Sequence, residues 1–166
     1  MRFLPIASVT LSLLAACGAP PASAPAPATE AKAAPGFELK DLTGKTVKLS
    51  DSDGTVRLVD FWATWCAPCR EEIPMFKDLN AKYGGKGLTL IGIAMDDEGI
   101  SVVEPFVREN GMPYVNLLGN EDVAAAWGPL RGLPTKFLVD KQGRIVDTFF
   151  GPVPRSVLEK KIASLL

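Results

Sequence analysis

Histidine is missing from this chain of 166 residues. Its absence excludes nucleophilic catalysis in which a histidine activates a serine or a cysteine. It also excludes the zinc, haem and copper sites that use imidazole ligands. A general base in this protein must therefore be a carboxylate, a lysine, a tyrosine or a thiol.

An excess of charge of one sign is lacking as well. The chain has 18 basic and 19 acidic residues, a formal net charge of −1 at pH 7, and no basic run. Nucleic-acid binding proteins usually concentrate positive charge on one surface or segment. A nucleic-acid partner is therefore not expected.

Cysteine is scarce, with three in the chain. Cys17 ends the segment LAAC (residues 14–17), which follows Arg2 and an apolar stretch too short to cross a bilayer comfortably. This pattern resembles the lipobox of a bacterial lipoprotein. The resemblance implies that residues 1–16 are a signal peptide and that Cys17 becomes the lipidated N-terminus. Ordinary secretion, with cleavage after Ala24, is the alternative.

The segment after Cys17 has a biased composition. Residues 18–35 are almost entirely Ala, Pro, Ser and Gly and show no apolar periodicity. We interpret residues 17–35 as the lipidated cysteine and an extended tether. Residues 36–166 are long enough for one domain with its own core.

The remaining cysteines, Cys66 and Cys69, follow directly after the apolar run of residues 56–62. Three positions apart at the start of a helix, they share one face and can form a disulfide. Pro68 suits the first helical position, which leaves Cys66 at the positive end of the helix, where a thiolate is stabilised. We expect solvent to reach Cys66, and Cys69 to be partly covered one turn inward. The pattern favours a redox dithiol over an inert disulfide or half of a zinc site.

Strand and helix patterns alternate along the domain, as a parallel sheet requires. They predict a hairpin over 37–49, strands at 56–62, 88–95 and 114–118, helices from the cysteines to 83 and at 100–110, 123–127 and 154–166, and a hairpin of 134–139 with 144–150. Glu71 and Glu72 are expected in the first turn of the first helix, where acidic side chains suit the helix dipole. The antiparallel second hairpin makes the predicted sheet a mixed one.

Two motifs carry a resemblance to a known family. VDFWATWCAPC at residues 59–69 and GLPT at 132–135 resemble thioredoxin, and the likeness covers residues 36–166. FLVDKQGRIV at residues 137–146, the leading hairpin and the tether make the chain more similar to anchored extracytoplasmic reductases of the TlpA and ResA type. The resemblance implies an α/β, thioredoxin-like three-layer fold. Its central mixed β-sheet would be flanked by helices, with an N-terminal β-hairpin and an inserted helix and strand.

The same resemblance implies roles for three residues. Cys66 would be the attacking thiolate that forms a mixed disulfide with a client protein, and Cys69 the resolving thiol. Asp60, a charge within an otherwise apolar strand, corresponds to the buried aspartate that accepts a proton beneath the cysteines of thioredoxin. Burial should raise the pKa of Asp60. The alternative is a strand-edge carboxylate that points to solvent.

Further residues are expected to bind the client or to tune the thiols. The resemblance implies a cis peptide between Leu133 and Pro134 that faces the disulfide, with the backbone of Leu133 free to pair with an extended client strand. An ordinary proline at the start of a strand is the alternative. Trp65 is expected at the client-binding rim. Asp97 or Glu98 corresponds to an acidic residue that tunes the thiols, and the alternative is a solvated acidic loop.

The resemblance implies a bacterial periplasmic enzyme, lipid-anchored to the inner or outer membrane, that reduces protein disulfides with electrons from a thiol donor in the membrane. We expect a monomer without cofactor or metal ion, whose disulfide-bearing clients belong to cytochrome c maturation or copper-site assembly. One alternative is a copper chaperone that uses Cys66 and Cys69 as soft ligands, with Met75 or Met95. The other is a redoxin-type thiol peroxidase.

Overall fold

The computed structural model describes residues 32–166 of the chain. The predicted signal peptide of residues 1–16, the lipidation of Cys17 and the first part of the tether lie outside these residues. Among the described residues, no helix combines the length and the apolar character that a bilayer crossing requires.

Strands and helices alternate through the described part of the chain. The strands are β1 (Glu38–Asp41), β2 (Thr46–Lys48), β3 (Val56–Trp62), β4 (Leu88–Ala94), β5 (Val115–Leu118), β6 (Thr135–Val139) and β7 (Ile145–Phe150), and the α-helices are α1 (Ala67–Tyr83), α2 (Ile100–Glu109), α3 (Glu121–Trp127) and α4 (Arg155–Leu165). The helices and strands predicted from the sequence are all present. Their bounds differ from the expected ones by about two residues at most, which is the usual uncertainty at element ends.

The strands form one mixed sheet in the order β2-β1-β5-β4-β3-β6-β7. The three central strands β5, β4 and β3 are parallel to one another, while β1 and β6 flank them in the antiparallel direction. The inserted β5 therefore connects the leading hairpin of β1 and β2 to the rest of the sheet. The predicted mixed sheet, N-terminal hairpin and inserted helix and strand are confirmed.

Strand β3 is buried along its whole length. Successive side chains of a strand point to opposite faces of the sheet. Leu58 and Trp62 thus lie in an apolar cluster to which α1, α2 and α4 contribute. Val59 and Phe61 lie in a second cluster, which α3 covers on the other face. Helices therefore cover both faces of the sheet, and the same alternation turns Asp60 toward α1.

Part of the segment that we interpreted as tether pairs with the sheet. Ala33 forms an isolated antiparallel bridge with Arg144. The backbone N–H of Ile145 donates to the carbonyl of Lys32 at 2.8 Å. The part of the chain that packs against the β6–β7 hairpin therefore begins a few residues before position 36.

A substitution at Gly92 of β4 would test the packing at the centre of the sheet. In the strand register it lies between Asp60 and Asn116. A methyl group on it would lie 2.8 Å from the Oδ1 atom of Asn116 and from the Nε1 atom of Trp62. Gly92→Ala should therefore lower the free energy of unfolding by about 1–3 kcal/mol, the usual cost of overpacking a core. Gly85→Ala is the matched control, because nothing lies within 4 Å of that methyl. Equal stability of the two variants in urea denaturation would contradict the packing described here.

Candidate active site

The N-terminus of α1 lies directly behind the end of β3. Cys66 is its N-cap residue, and the backbone N–H of Cys69 donates to the Cys66 sulfur at 3.3 Å. Ala67 is the first helical residue, so Pro68 occupies the second position and not the predicted first. The difference has little consequence, because the first four N–H groups of a helix all lack an acceptor within it. The predicted position of Cys66 at the positive end of the helix is confirmed.

Cys66 and Cys69 are joined by a disulfide bond, with their Cα atoms 5.3 Å apart. Cys66 is 4% exposed and Cys69 is 3% exposed. The expectation that solvent reaches Cys66 while Cys69 is covered is therefore wrong for the disulfide form, since both residues lie in the apolar cluster beneath α1. The two sulfurs differ in their position relative to the helix end, and not in exposure. Trp65, next to them, is 66% exposed.

The loop before β6 brings Leu133 and Pro134 to this cluster. The peptide bond between them is cis, as predicted. Leu133 is half-buried and packs against the cluster that contains both cysteines. Within residues 32–166, no hydrogen bond uses the backbone N–H or carbonyl of Leu133. That backbone is therefore available to an extended segment of another protein.

Asp60 is buried on the α1 side of the sheet, two residues before the end of β3. Only 4% of the residue is exposed, and its Oδ1 atom has no hydrogen-bond partner. Burial raises the pKa of Asp60 to about 8, against the lowering effect of the Lys136 ammonium, while the Glu72 carboxylate adds to the rise. The predicted burial and raised pKa are confirmed, and the alternative of a solvent-facing carboxylate is wrong.

A buried ion pair near Asp60 was not predicted from the sequence. The Nζ atom of Lys136 lies 2.5 Å from Glu72 Oε2, with the Lys136 side chain 0% exposed and the Glu72 side chain 6%. The first turn of α1 contains no acidic residue. The expected first-turn position of Glu71 and Glu72 is therefore wrong, because the helix begins early enough to put them in the second turn. The feature of the sequence that could have indicated this pair is Lys136, a charged residue in a mostly apolar strand. Asp60 has the same kind of position in β3.

A second missed residue, Asp96, holds the loop that leads to Cys66. The backbone N–H of Thr64 lies 3.1 Å from each Asp96 carboxylate oxygen, and the Thr64 hydroxyl also donates to it. Asp97 and Glu98 are exposed, and their side chains form no hydrogen bond or ion pair within the described residues. The acidic residue that the structure brings to the loop is thus Asp96. An influence of Asp97 or Glu98 on the thiols stays a prediction.

Metal binding has little support from the geometry. Across residues 32–166, no cluster of three or more cysteine and carboxylate side chains is arranged to hold a metal ion. The sulfurs of Cys66 and Cys69, the two cysteines among these residues, are bonded to each other.

Comparison with known sequences relates the chain to disulfide-exchange proteins. The sequence profile of the AhpC/TSA family matches residues 31–148. Thiol-disulfide oxidoreductase ResA of Bacillus thuringiensis (strain Al Hakam) is 36% identical over 129 residues, which cover 77% of this chain and 73% of that protein. The thioredoxin-like protein YneN of Bacillus subtilis (strain 168) is 29% identical over 134 residues, which cover 80% of this chain and 78% of that protein.

Solved structures show the same likeness. A putative thiol:disulfide interchange protein DsbE from Chlorobium tepidum superposes with a TM-score of 0.76 at 31% identity, covering 81% of this chain and 96% of that one. A DsbF homologue from Corynebacterium diphtheriae gives a TM-score of 0.75 at 29% identity, covering 82% of this chain and 88% of that one. The predicted thioredoxin-like fold is confirmed.

The contact between Asp96 and Thr64 leads to a stability prediction. Asp96→Ala removes the acceptor of the Thr64 N–H and hydroxyl, which are part-buried. The free energy of unfolding should fall by about 1.5–3 kcal/mol, as for hydrogen bonds to a charged group. Asp97→Ala is the matched control and should change it by less than about 0.5 kcal/mol, as is usual for an exposed side chain. Denaturant unfolding measures both, and equal losses would contradict the role given to Asp96.

The burial of Asp60 leads to a pH prediction. Its carboxyl titrates near its ordinary value of 3.8 in the unfolded chain and at about 8 in the folded protein. Between those values the folded protein holds a proton that the unfolded chain has lost, so the free energy of unfolding should fall as pH rises and level off above about 8.

Asp60→Asn should lack this decline, because asparagine has no proton to release. Asp97→Asn is the control and should follow the wild type. Urea denaturation of the oxidised proteins between about pH 5 and pH 9 measures the difference. A decline of the same size in Asp60→Asn and the wild type would show that Asp60 does not cause it.

Proposed function

This chain belongs to the AhpC/TSA family and is a thiol-disulfide oxidoreductase, and we propose that it acts outside the cytoplasm as a reductase of protein disulfides. One observation carries the proposal. The Cys66–Cys69 disulfide lies at the N-terminus of α1, in the same apolar cluster as Leu133 of the cis peptide. One sulfur can then react with a client while the second waits one helical turn away.

The reaction begins with the reduced protein. The Cys66 thiolate attacks one sulfur of the client's disulfide, so that a bond forms between Cys66 and the client while the client's own S–S bond breaks. Cys69 then loses its proton and attacks the Cys66 sulfur, which forms the Cys66–Cys69 disulfide and releases the client's second thiolate. Two electrons have passed from the dithiol to the client. The two protons that the dithiol loses balance the two that the client gains.

Asp60 is the group that we propose as the acceptor of the Cys69 proton. It lies on the face of β3 that α1 covers, and its Oδ1 atom has no other partner. A pKa of about 8 allows a carboxyl to take up and release a proton near neutral pH, which is the requirement for a general base.

The reductive direction is supported by how few groups stabilise the Cys66 thiolate. A strong oxidant needs a strongly stabilised thiolate, since about 1.4 kcal/mol corresponds to 30 mV. The Cys66 sulfur accepts the N–H of Cys69. The inner residues Ala67 and Pro68 carry no donor side chain, and the chain has no histidine to add a positive charge. A thiolate that only the helix end stabilises, with no charged or donor side chain from the inner residues, favours a reductant.

Client binding would use the surface around the disulfide. The free backbone of Leu133 would pair with an extended client segment, and the exposed Trp65 would add apolar contact. Main-chain pairing selects little for sequence, so the client would be recognised by an accessible disulfide in an extended segment. We propose clients of the cytochrome c maturation or copper-site assembly type.

Location and electron supply complete the proposal. The lipid on Cys17 would hold the enzyme at the inner or outer membrane of a bacterium, facing the periplasm. Such compartments are oxidising. A thiol donor in the membrane would therefore have to reduce the Cys66–Cys69 disulfide after each turnover.

Cys69→Ser should turn the enzyme into a trap for its client. With the resolving thiol gone, the mixed disulfide on Cys66 should accumulate. The reduced variant is mixed with an oxidised peptide that carries the Cys-x-x-Cys-His haem-attachment motif, and mass spectrometry detects the adduct. Reduction of insulin by the variant, with dithiothreitol as electron source, should fall to the uncatalysed level.

Cys66→Ser is the matched control, and it should form no adduct. Absence of the adduct with Cys69→Ser would refute the mechanism, and a wild-type potential near the about −120 mV of strong oxidants would refute the reductive direction. Tight stoichiometric Cu(I) binding without insulin reduction would favour the copper chaperone. Rapid peroxide turnover without insulin reduction would favour the thiol peroxidase.

A further inference from the structure

Lys136 lies directly opposite Asp60 in the sheet. Strands β3 and β6 are antiparallel, and their register pairs the Cα atoms of these two residues. Side chains at paired positions project from the same face. Here that face is the one covered by α1, because Leu138, two residues after Lys136, lies in the cluster beneath that helix. Lys136 has no exposed surface, so its ammonium group lies in the same buried layer as the Asp60 carboxyl.

The ammonium group of Lys136 makes fewer hydrogen bonds than it has donors, and it also lies 6.0 Å from the centroid of the Phe76 ring. It donates to Glu72 Oε2 at 2.5 Å and to the Gly151 carbonyl at 3.0 Å. An ammonium has three N–H donors, so one is left over after these two bonds. The Oδ1 atom of Asp60 is an acceptor without a partner. A spare donor and a spare acceptor thus project from neighbouring positions of adjacent strands.

The charges around Asp60 explain how Lys136 affects the ionisation of the Asp60 carboxyl. Glu72 from α1 and Lys136 from β6 cancel each other, so the buried group is neutral only while Asp60 holds its proton. Tyr114, just before β5, also faces Asp60, and burial together with the Asp60 charge raises the Tyr114 pKa. Cys66, Cys69 and Tyr83 are further titratable residues in this layer. When Asp60 ionises, Lys136 is the positive charge that faces it.

We propose that Lys136, held in place by Glu72, is a positioning residue that controls when Asp60 takes up and releases its proton during the attack of Cys69 on Cys66. This inference rests on the proposed role of Asp60 as the base. In that step the proton moves from the Cys69 sulfur to an Asp60 carboxylate oxygen. The Cys66–Cys69 bond forms while the bond between Cys66 and the client breaks. Lys136 stabilises the carboxylate that must exist before transfer.

A purely structural role for the pair makes a different prediction. Glu72 Oε1 also accepts the backbone N–H of Val153 at 3.0 Å, and Lys136 bonds the Gly151 carbonyl, so the pair ties α1 and β6 to the segment after β7. If that were its whole role, substitutions would change stability and leave the pH dependence of the resolving step unchanged. The pH profile separates the two roles.

The experiment follows the resolving step in single turnover with the full chain, in which Cys17 is replaced by serine so that Cys66 and Cys69 are the reacting thiols. The reduced protein is mixed with dithiobis(nitrobenzoate). Cys66 takes up one nitrothiobenzoate group, and Cys69 then displaces it, so the rate of the second release reports resolution. The profile from about pH 5 to pH 9 is measured for Lys136→Met, Glu72→Gln and the double variant. Lys160→Met, which removes an exposed lysine of α4, controls for the change in net charge.

The expected order of the midpoints follows from the signs of the charges. Loss of Lys136 should move the midpoint up by about one pH unit or more and slow resolution at pH 7 about tenfold, because an opposite charge nearby favours the ionised carboxyl. Loss of Glu72 should move it down. The double variant should lie between Lys136→Met and the wild type. It leaves no buried charge unpaired, so it remains informative if Lys136→Met does not fold.

Two results would overturn the inference. In the first, the pH midpoint of the resolving step for Lys136→Met or for the double variant equals the midpoints of the wild type and of Lys160→Met. The other is a Lys136 effect that persists in an Asp60→Asn background, since the lysine would then act through another group. If the wild type reduces insulin while either result is found, this inference alone fails. If the wild type does not reduce insulin, the proposed function fails.

Discussion

Burial of β3 on both faces is the constraint on which the site depends. A strand covered on both sides must carry apolar side chains, and Leu58 and Val59 meet that requirement on opposite faces. The carboxyl group of Asp60 shares this dry environment, so its proton is held far more tightly than in water. The same strand ends immediately before the N-terminus of α1. The helix end at Cys66 and the carboxyl of Asp60, which we propose as the base for Cys69, are therefore positioned by one element.

Polar residues cross the core in one row of the sheet. Lys136, Asp60, Gly92 and Asn116 are register neighbours on β6, β3, β4 and β5. The row lies within a mostly apolar core, and the Oδ1 atoms of Asp60 and Asn116 have no hydrogen-bond partner. Buried polar groups without partners cost stability. Proteins depart from a consistent apolar core chiefly at functional sites, and the position of this row beneath the disulfide agrees with that rule.

Features that depend on residues close together in the sequence could be predicted, whereas contacts between residues far apart in the sequence could not. The helix start at Cys66 follows from a local pattern, whereas the burial of Asp60 was implied by the resemblance to thioredoxin, and both were predicted. The contact between Lys136 and Glu72 joins residues 64 positions apart, and that between Asp96 and Thr64 joins residues 32 apart. No local pattern specifies such partners, because they follow from the order and register of the strands. The burial of Cys66 was likewise missed, since it depends on packing from distant segments.

The two edges of the sheet affect how readily other chains can add to it. Strand β2 is an edge strand only three residues long, and residues Lys32 and Ala33 cover the start of β7 at the opposite edge. Unpaired edge strands are templates on which other chains add and aggregate. Short and partly covered edges reduce that hazard. The unpaired backbone of Leu133 lies in a loop and not on an edge strand. The extended client that we propose to pair there would therefore not require an edge of the sheet left open to polymerisation.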